Sequence, residues 1–389
     1  MRVLFLAHSY PRFATDPVGS FVLRLAVALR DTGIEVRVIA PSAEGLAGRD
    51  EYEGIVVDRF RYAPRSLETL AYSGTMRDQV STSWSSRLAL GSFLGADLWK
   101  TFRSRREFRA DLVHAHWFFP SGLIGTWMAG WWRVPLVTTL HGSDISVAKS
   151  SAIATRMFRR VITRSRGVTT VSSWLGAETR ALVPAAHPVV APMPIKPDLF
   201  HPGGSREAAR LLFVGKLNQQ KGIEHLLRAL AVMRARPMVD VIVGVGSAPE
   251  DIGGLAQSLG VADQLRWLPL LPQAKLAEYY RSCTALVMPA VDEGLGLVAA
   301  EALLCETPVI AFASGGLTDL IRDGETGVLV PAGDVTALAR ATDDVLSRPD
   351  RGAPLGIAGR RATLATFGAQ AVAGRYAAIY REALGPRVA

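Results

Sequence analysis

Only two cysteines, Cys283 and Cys305, occur in 389 residues, each inside an apolar stretch. Neither a disulfide framework nor a zinc-ligand spacing can be built from them, which fits a reducing cytoplasm. Long apolar runs are missing as well. No uninterrupted stretch reaches the roughly 18 residues of a spanning helix. The most apolar window, Leu123 to Val137, is broken by Gly130, Arg133 and Pro135. Near the N-terminus, Arg2–Ala7 (RVLFLA) is cut off by His8, Ser9, Tyr10 and Pro11. That run is too short for a signal-peptide core and reads as a first buried strand.

What is present is the composition of a folded protein, 49% hydrophobic and 20% charged, and a length that exceeds a single core, so two domains are expected. The net charge of +9 is unevenly placed: residues 1–193 carry 24 Lys and Arg against 15 Asp and Glu, the rest 20 against 20. An anionic partner for the first half follows, whether a membrane surface, a phosphorylated lipid or an acidic acceptor; the plain alternative is a basic, soluble surface. Nucleic acid is not an expected partner.

Strand-like and helix-like stretches alternate twice along the chain, which predicts an α/β protein with two doubly wound parallel sheets. The first series of strands is Arg2–Ala7, Glu35–Ala40, Ile55–Phe60, Leu112–Ala115, Leu136–Thr139 and Gly167–Val171. The second is Leu211–Val214, Val239–Val243, Leu265–Leu268, Ala285–Met288, Val309–Phe312 and Val328–Val330. Helices are expected at Phe21–Arg30 and Ser173–Leu182. Ala191 to Gly204 holds four prolines and two glycines and reads as a linker. The expected domains are 1–193, joined by a C-terminal helix of about 370–389, and 194–369. Ligands of open α/β sheets bind beyond the carboxyl ends of the strands, so a cleft between two such domains is where chemistry is expected.

The richest segment is Pro289 to Leu304, PAVDEGLGLVAAEALL. A strand ends, an acidic pair and a glycine-spaced turn follow, and a helix begins near Leu297. Gly294 and Gly296 let backbone approach a ligand, Leu295 and Leu297 flank that approach, and the helix start suits an anion. A carboxylate accepts from two neighbouring hydroxyls, so Glu301 suits a ribose diol and Glu293 sugar hydroxyls. In Phe213 to Gly222 (FVGKLNQQKG), Gly215 frees a turn, and Lys216 and Lys221 stand five apart near a helix start, a site for a diphosphate. Gly244 to Ser247 (GVGS) lacks the third glycine of a dinucleotide fingerprint, since Pro249 stands in its place. In the first half, His141 lies just beyond a strand in TTLHGSD, and His116 ends the preceding strand. In the loop Ser9 to Phe21, Ser20 is expected to cap the following helix and Gly19 to admit a donor phosphate, with Asp16 a candidate for meeting the acceptor. Trp84 to Arg109 is the most basic stretch. It is expected to pack its apolar face on its own domain with its charges in water, the alternative being an amphipathic helix on anionic lipid.

The pair Glu293 and Glu301, eight apart across a strand, loop and helix, together with Glu306 to Val330 (ETPVIAFASGGLTDLIRDGETGVLV), resembles the retaining family 4 glycosyltransferases (glycosyl transferases group 1) of the GT-B fold. The resemblance spans essentially the whole chain and is tightest in the second half. It implies two Rossmann-like domains facing across a cleft, the first binding acceptor, for which Asp16 and His116 are the candidates read from its loops, the second binding a nucleotide-sugar donor. Lys216, where the family more often has Arg, and Lys221 would stabilise the departing diphosphate. His141 would bond the transferred sugar, and the backbone from Leu268 to Leu271 would contact the base. It further implies retention by front-face attack and closure of the domains through the linker. No D-x-D triplet, the metal–diphosphate clamp of the other glycosyltransferase fold, occurs, so neither metal nor other cofactor is expected. The expected acceptor is a hydroxyl, free or lipid-linked, in bacterial cell-envelope polysaccharide or glycolipid synthesis. The expected place is the cytoplasm, at most peripheral at the inner membrane face. Alternatives are glycosylation of a small natural product, a GT-B nucleotide-sugar epimerase, and a non-catalytic sugar-nucleotide-binding protein.

Overall fold

The computed structural model describes residues 1–14, 16–46, 48–64, 68–72, 76–207, 209–244 and 247–385. The chain divides into two compact units, Met1–Pro194 with Ala369–Ala389, and Ile195–Gly368. Each is built on one sheet.

In the first unit the strands are β1 (Arg2–Ala7), β2 (Glu35–Pro41), β3 (Arg49–Tyr52), β4 (Ile55–Phe60), β5 (Leu112–His116), β6 (Leu136–Leu140), β7 (Gly167–Thr170) and β8 (Val189–Val190). They lie in the order β3-β4-β2-β1-β5-β6-β7-β8. All pairs are parallel except β3 with β4. Central strands covered by helices on both faces read as continuous apolar runs, and Val3 to Leu6 and Leu112 to Val113 are fully buried. The edge strand β3 (RDEY) has no apolar pattern, so periodicity did not reveal it. It is held by charge instead: Arg49 faces Asp58 across the pair at 3.0 Å, and Arg59 Nε donates to Asp50 at 2.9 Å. The helix Ala369–Leu384 returns to this unit and buries Val372, Tyr376, Ile379 and Tyr380.

In the second unit the strands are β9 (Arg210–Gly215), β10 (Met238–Val243), β11 (Leu265–Leu268), β12 (Ala285–Met288), β13 (Val309–Phe312) and β14 (Val328–Val330). The order is β11-β10-β9-β12-β13-β14, with every pair parallel. Strand order reverses beside β1 in the first sheet and beside β9 in the second. The loops after β1 and β5, and after β9 and β12, therefore part in opposite directions and leave a crevice at the carboxyl edge of each sheet. Among the described residues, no helix is long and apolar enough to cross a membrane.

Candidate active site

In the second unit, the loops following β9, β12 and β13 are locked together by backbone. Gly222, at φ 72°, starts the helix Ile223–Val232, and a Cβ there would stand 1.9 Å from the Pro289 carbonyl oxygen. Only glycine permits this approach. Val291 N–H donates to the Gln220 carbonyl at 2.9 Å, and Gly316 N–H to the Glu293 carbonyl at 2.7 Å. Asp292 N–H donates to Ser314 Oγ at 2.9 Å.

Lys221 and Glu293 meet inside this frame. Lys221 Nζ donates to Glu293 Oε2 at 2.6 Å, with both side chains still partly exposed. Gly215 faces the stem of Lys221. Lys216, the next residue, is half-buried, and its ammonium has no ion-pair partner among the described residues. The helix Leu297–Leu304 starts from Gly296 at φ 84°, with Gly294 and Leu295 buried and Leu297 half-buried. Glu301 lies in that helix, nearly buried, and accepts from the Tyr280 hydroxyl at 3.2 Å. Burial and the Glu301 charge push the Tyr280 phenol well above its ordinary range, so it stays a donor and orients the carboxylate. Leu268, half-buried, closes β11 on the same carboxyl edge. Of the loop Gly244–Ser247, Val245 and Gly246 lie outside the described residues. Gly244 packs against Lys216 N, and Ser247 Oγ accepts from Leu217 N–H at 3.1 Å.

The first unit gathers histidines. His116 Nδ1 lies 3.1 Å from His141 Nε2, and their rings stack with centroids 5.3 Å apart. His8, beyond β1, packs on Trp117 at 4.3 Å, and Trp117 on His141 at 4.5 Å. Burial holds His114, His116 and His141 well below the ordinary histidine range and lowers His8 to about 4, with neighbouring histidines adding to the effect in all but His8. All four are neutral near pH 7. His116 Nε2 is buried without a hydrogen-bond partner among the described residues. A tautomer with the proton on Nδ1 donates to His141 and leaves only a bare acceptor unpaired; the other would bury an unpaired N–H at greater cost. His141 then carries its proton on Nδ1. Asp144 anchors the loop, accepting from His141 N–H at 2.7 Å and Phe118 N–H at 2.8 Å. Behind these, His114 bridges Thr139 Oγ1 at 2.6 Å and the Tyr380 hydroxyl at 2.7 Å.

One sequence expectation needs correction here, and two candidate residues turn out to be buried. Ser20 does not cap its helix: it is the first helical residue, and the cap is Gly19 at φ 70° without a side-chain bond. Gly19 is required by the chain's own backbone, since a Cβ would stand 2.6 Å from the Ser9 carbonyl oxygen. Asp16 does not present its carboxylate outward. Its side chain is buried and accepts from Arg12 Nε at 2.6 Å, Arg12 N–H at 3.0 Å and Val18 N–H at 3.1 Å. Burial alone would raise the Asp16 carboxyl, but these bonds outweigh it and hold it below its usual value. The partly exposed group on that loop is Arg12. His116 is likewise fully buried and touches His141 rather than the surface. His8 carried the same signal as His116, a histidine directly after a strand, and was legible; Tyr280 and Tyr380 had none.

Two Rossmann-like parallel sheets, each with its polar groups at the reversal of strand order, define the GT-B class of glycosyltransferases. The profile described as "Glycosyl transferases group 1" matches residues 198–362, and "Glycosyl transferase 4-like domain" matches residues 18–194. The chain belongs to the group 1 glycosyltransferase family. Among its relatives is the D-inositol 3-phosphate glycosyltransferase of Thermobispora bispora, 32% identical over 94% of this chain and 89% of that one. The enzyme of the same name from Streptomyces scabiei is 35% identical over 70% and 68%. Similar solved structures include sucrose-phosphate synthase from Thermosynechococcus elongatus, with a TM-score of 0.81, 23% identity and 98% of both chains covered. Anabaena HepE in complex with UDP and glucose has a TM-score of 0.72 and 17% identity, covering 97% of this chain and 98% of that one.

Proposed function

We propose that this enzyme moves a sugar from a nucleoside-diphosphate sugar to a hydroxyl acceptor with retention of configuration and without a metal ion. The observation that carries the reading is the Lys221–Glu293 ion pair at 2.6 Å, held beside Lys216 where the sheet order reverses. An arriving diphosphate competes for Lys221, and the carboxylate so released accepts from hydroxyls of the transferred sugar. Lys216 and Lys221 then stabilise charge on the departing phosphate, and electrostatic stabilisation of this kind usually lowers the barrier more than any other single effect. Glu301, oriented by Tyr280, holds the ribose, and His141 donates from Nδ1 to the sugar. The attack is front-face, with the leaving phosphate oxygen taking the acceptor's proton.

The acceptor is anionic. The basic excess of residues 1–193 and relatives named for inositol 3-phosphate both favour a phosphate-bearing hydroxyl compound, either a soluble phosphorylated polyol or a lipid-linked acceptor of the cell envelope. Nucleotide release is measured with UDP-, GDP- and ADP-sugars, with no acceptor, with inositol 3-phosphate and with a polyprenyl-phosphate sugar. Release that needs an acceptor supports transfer. Donor conversion without acceptor means an epimerase, and binding without conversion means a sugar-nucleotide-binding protein. Loss of turnover with chelator overturns metal independence.

A further inference from the structure

The helix Trp84–Ser104 packs Phe93, with Leu90, Leu94, Leu98 and Phe102 around it, on the core of its own unit, yet leaves other large apolar side chains in solvent. Its buried positions include Asp97, Thr101 and Ser104, whereas Trp84, Leu88 and Trp99 are 71%, 63% and 61% exposed. Trp84, Leu88 and Trp99 share one helical face with Gly91 and Gly95, at spacings of three and four, so three large apolar side chains stand outward along that face. The neighbouring helix Leu123–Trp132 extends the patch: Trp131, 70% exposed, lies 5.3 Å from Phe102, which stacks on Trp99 at 6.1 Å. The two helices are thus joined by a chain of aromatic rings on the outside of the first unit. A surface of this kind marks an interaction site rather than scattered exposed side chains.

Its charge has one sign. The Arg103 guanidinium covers the Trp99 ring at 5.8 Å, and Arg106 and Arg133 are exposed at the ends of the two helices. The only acid within either helix is Asp97, which is buried. The next along the chain, Glu107, is engaged by Arg37 and Arg49. We propose that this tryptophan face, rimmed by arginines, docks the enzyme on a bilayer of anionic phospholipid. Indole rings favour the interfacial depth of a membrane, and guanidinium groups meet lipid phosphates. A second copy of the chain is the poorer occupant, because a two-fold contact through this face would set Arg103 and Arg133 against their own counterparts.

The test uses the full chain and does not depend on the transfer reaction. Protein is co-sedimented with vesicles of phosphatidylcholine and with vesicles containing phosphatidylglycerol, and tryptophan emission is followed. Binding to the anionic vesicles with a blue shift is expected, weakening as salt screens the charges. The W99S/W131S variant is expected to bind about tenfold or more weakly. The R103E/R133E variant, which keeps the aromatic face, is expected to lose the preference for phosphatidylglycerol, and it carries the test should the first variant fail to fold. Absence of binding to anionic vesicles overturns the proposal, as does equal binding by both variants and wild type. A dimer in light scattering that W99S/W131S dissolves, without vesicle binding, assigns the face to a second copy and overturns it too.

Discussion

In the second unit the groups gathered at the strand ends are charged and mostly partly exposed, with Lys221 and Glu293 paired; in the first the gathered histidines are neutral and packed as rings, His114 and His116 buried, His8 and His141 half-buried. Lys221 and Glu293 hold one another at 2.6 Å on loops that glycines allow to touch. His116 and His141 meet at 3.1 Å among Trp117, Phe21 and His8, with Asp144 fixing the loop beneath. The difference reflects what each set can do. An ion pair exchanges partners when a stronger anion arrives, so it suits a site that must bind and release a diphosphate. Buried neutral imidazoles offer fixed hydrogen bonds whose direction is set by tautomer rather than by charge, which suits orienting hydroxyls.

That contrast can be broken first at the ion pair. Lys221→Ala or Glu293→Gln is expected to lower kcat for sugar transfer by about 10²–10³ with an unchanged near-UV circular dichroism spectrum. Activity within twofold of wild type, by about the smallest change such assays resolve, would remove both residues from the site. Next, Gly222→Ala forces a Cβ against Pro289 and is expected to cost the second unit about 3 kcal/mol, read as a lower urea midpoint. Hydrogen exchange should then rise in β9 and β12 and not in β1 or β5.

Acid should separate the units in the opposite direction. His8, His114, His116 and His141 have folded-state values depressed below the ordinary 6.5, His8 to about 4. Their contribution is therefore complete above about pH 6.5 and is lost as pH falls below it, for His8 alone by about 3 kcal/mol once pH reaches about 4. Hydrogen exchange at pH 7 and at pH 4.5 should show β1, β5 and β6 losing protection while β9 and β12 keep theirs. The smallest effect is of opposite sign. Asp97 is raised by burial from 3.8 to about 7 despite its Thr101 bond, so its contribution is present below about pH 4 and lost as pH rises to about 7. Asp97→Asn is expected to stabilise the protein by about 1–2 kcal/mol at pH 8 and to give no gain at pH 3.5, measured by urea unfolding at both.

Much of the framework was legible because buried parallel strands leave unmistakable apolar runs. β1, β4, β11, β12, β13 and β14 match their expected limits residue for residue. β3 was not, since an edge strand stabilised by Arg49, Asp50 and their partners on β4 carries no alternation to read. The helix Trp84–Ser104 packs Leu90, Phe93 and Leu94 on its own unit as expected, whereas Trp99, counted with them, stands outward: an amphipathic pattern says that two faces differ, and not where each one ends. The charged residues Lys216, Lys221 and Glu293 and the glycines around them stood out because ligand loops at strand ends combine residue types that ordinary turns seldom do. Tyr280, Tyr380 and Asp144 did not, being single polar residues whose meaning depends on the groups they reach.

The order of residues alone determined the alternation of strand and helix, the two-part division of charge, and the loops rich in glycine, lysine and glutamate. These are local matters, written in side chains a few positions apart. Tertiary structure decided which of those side chains face each other. It paired Lys221 with Glu293 across 72 residues and brought Tyr380 back over 266 residues to His114. Contacts of that range depend on how strands are ordered in a sheet, and no sequence spacing carries that order.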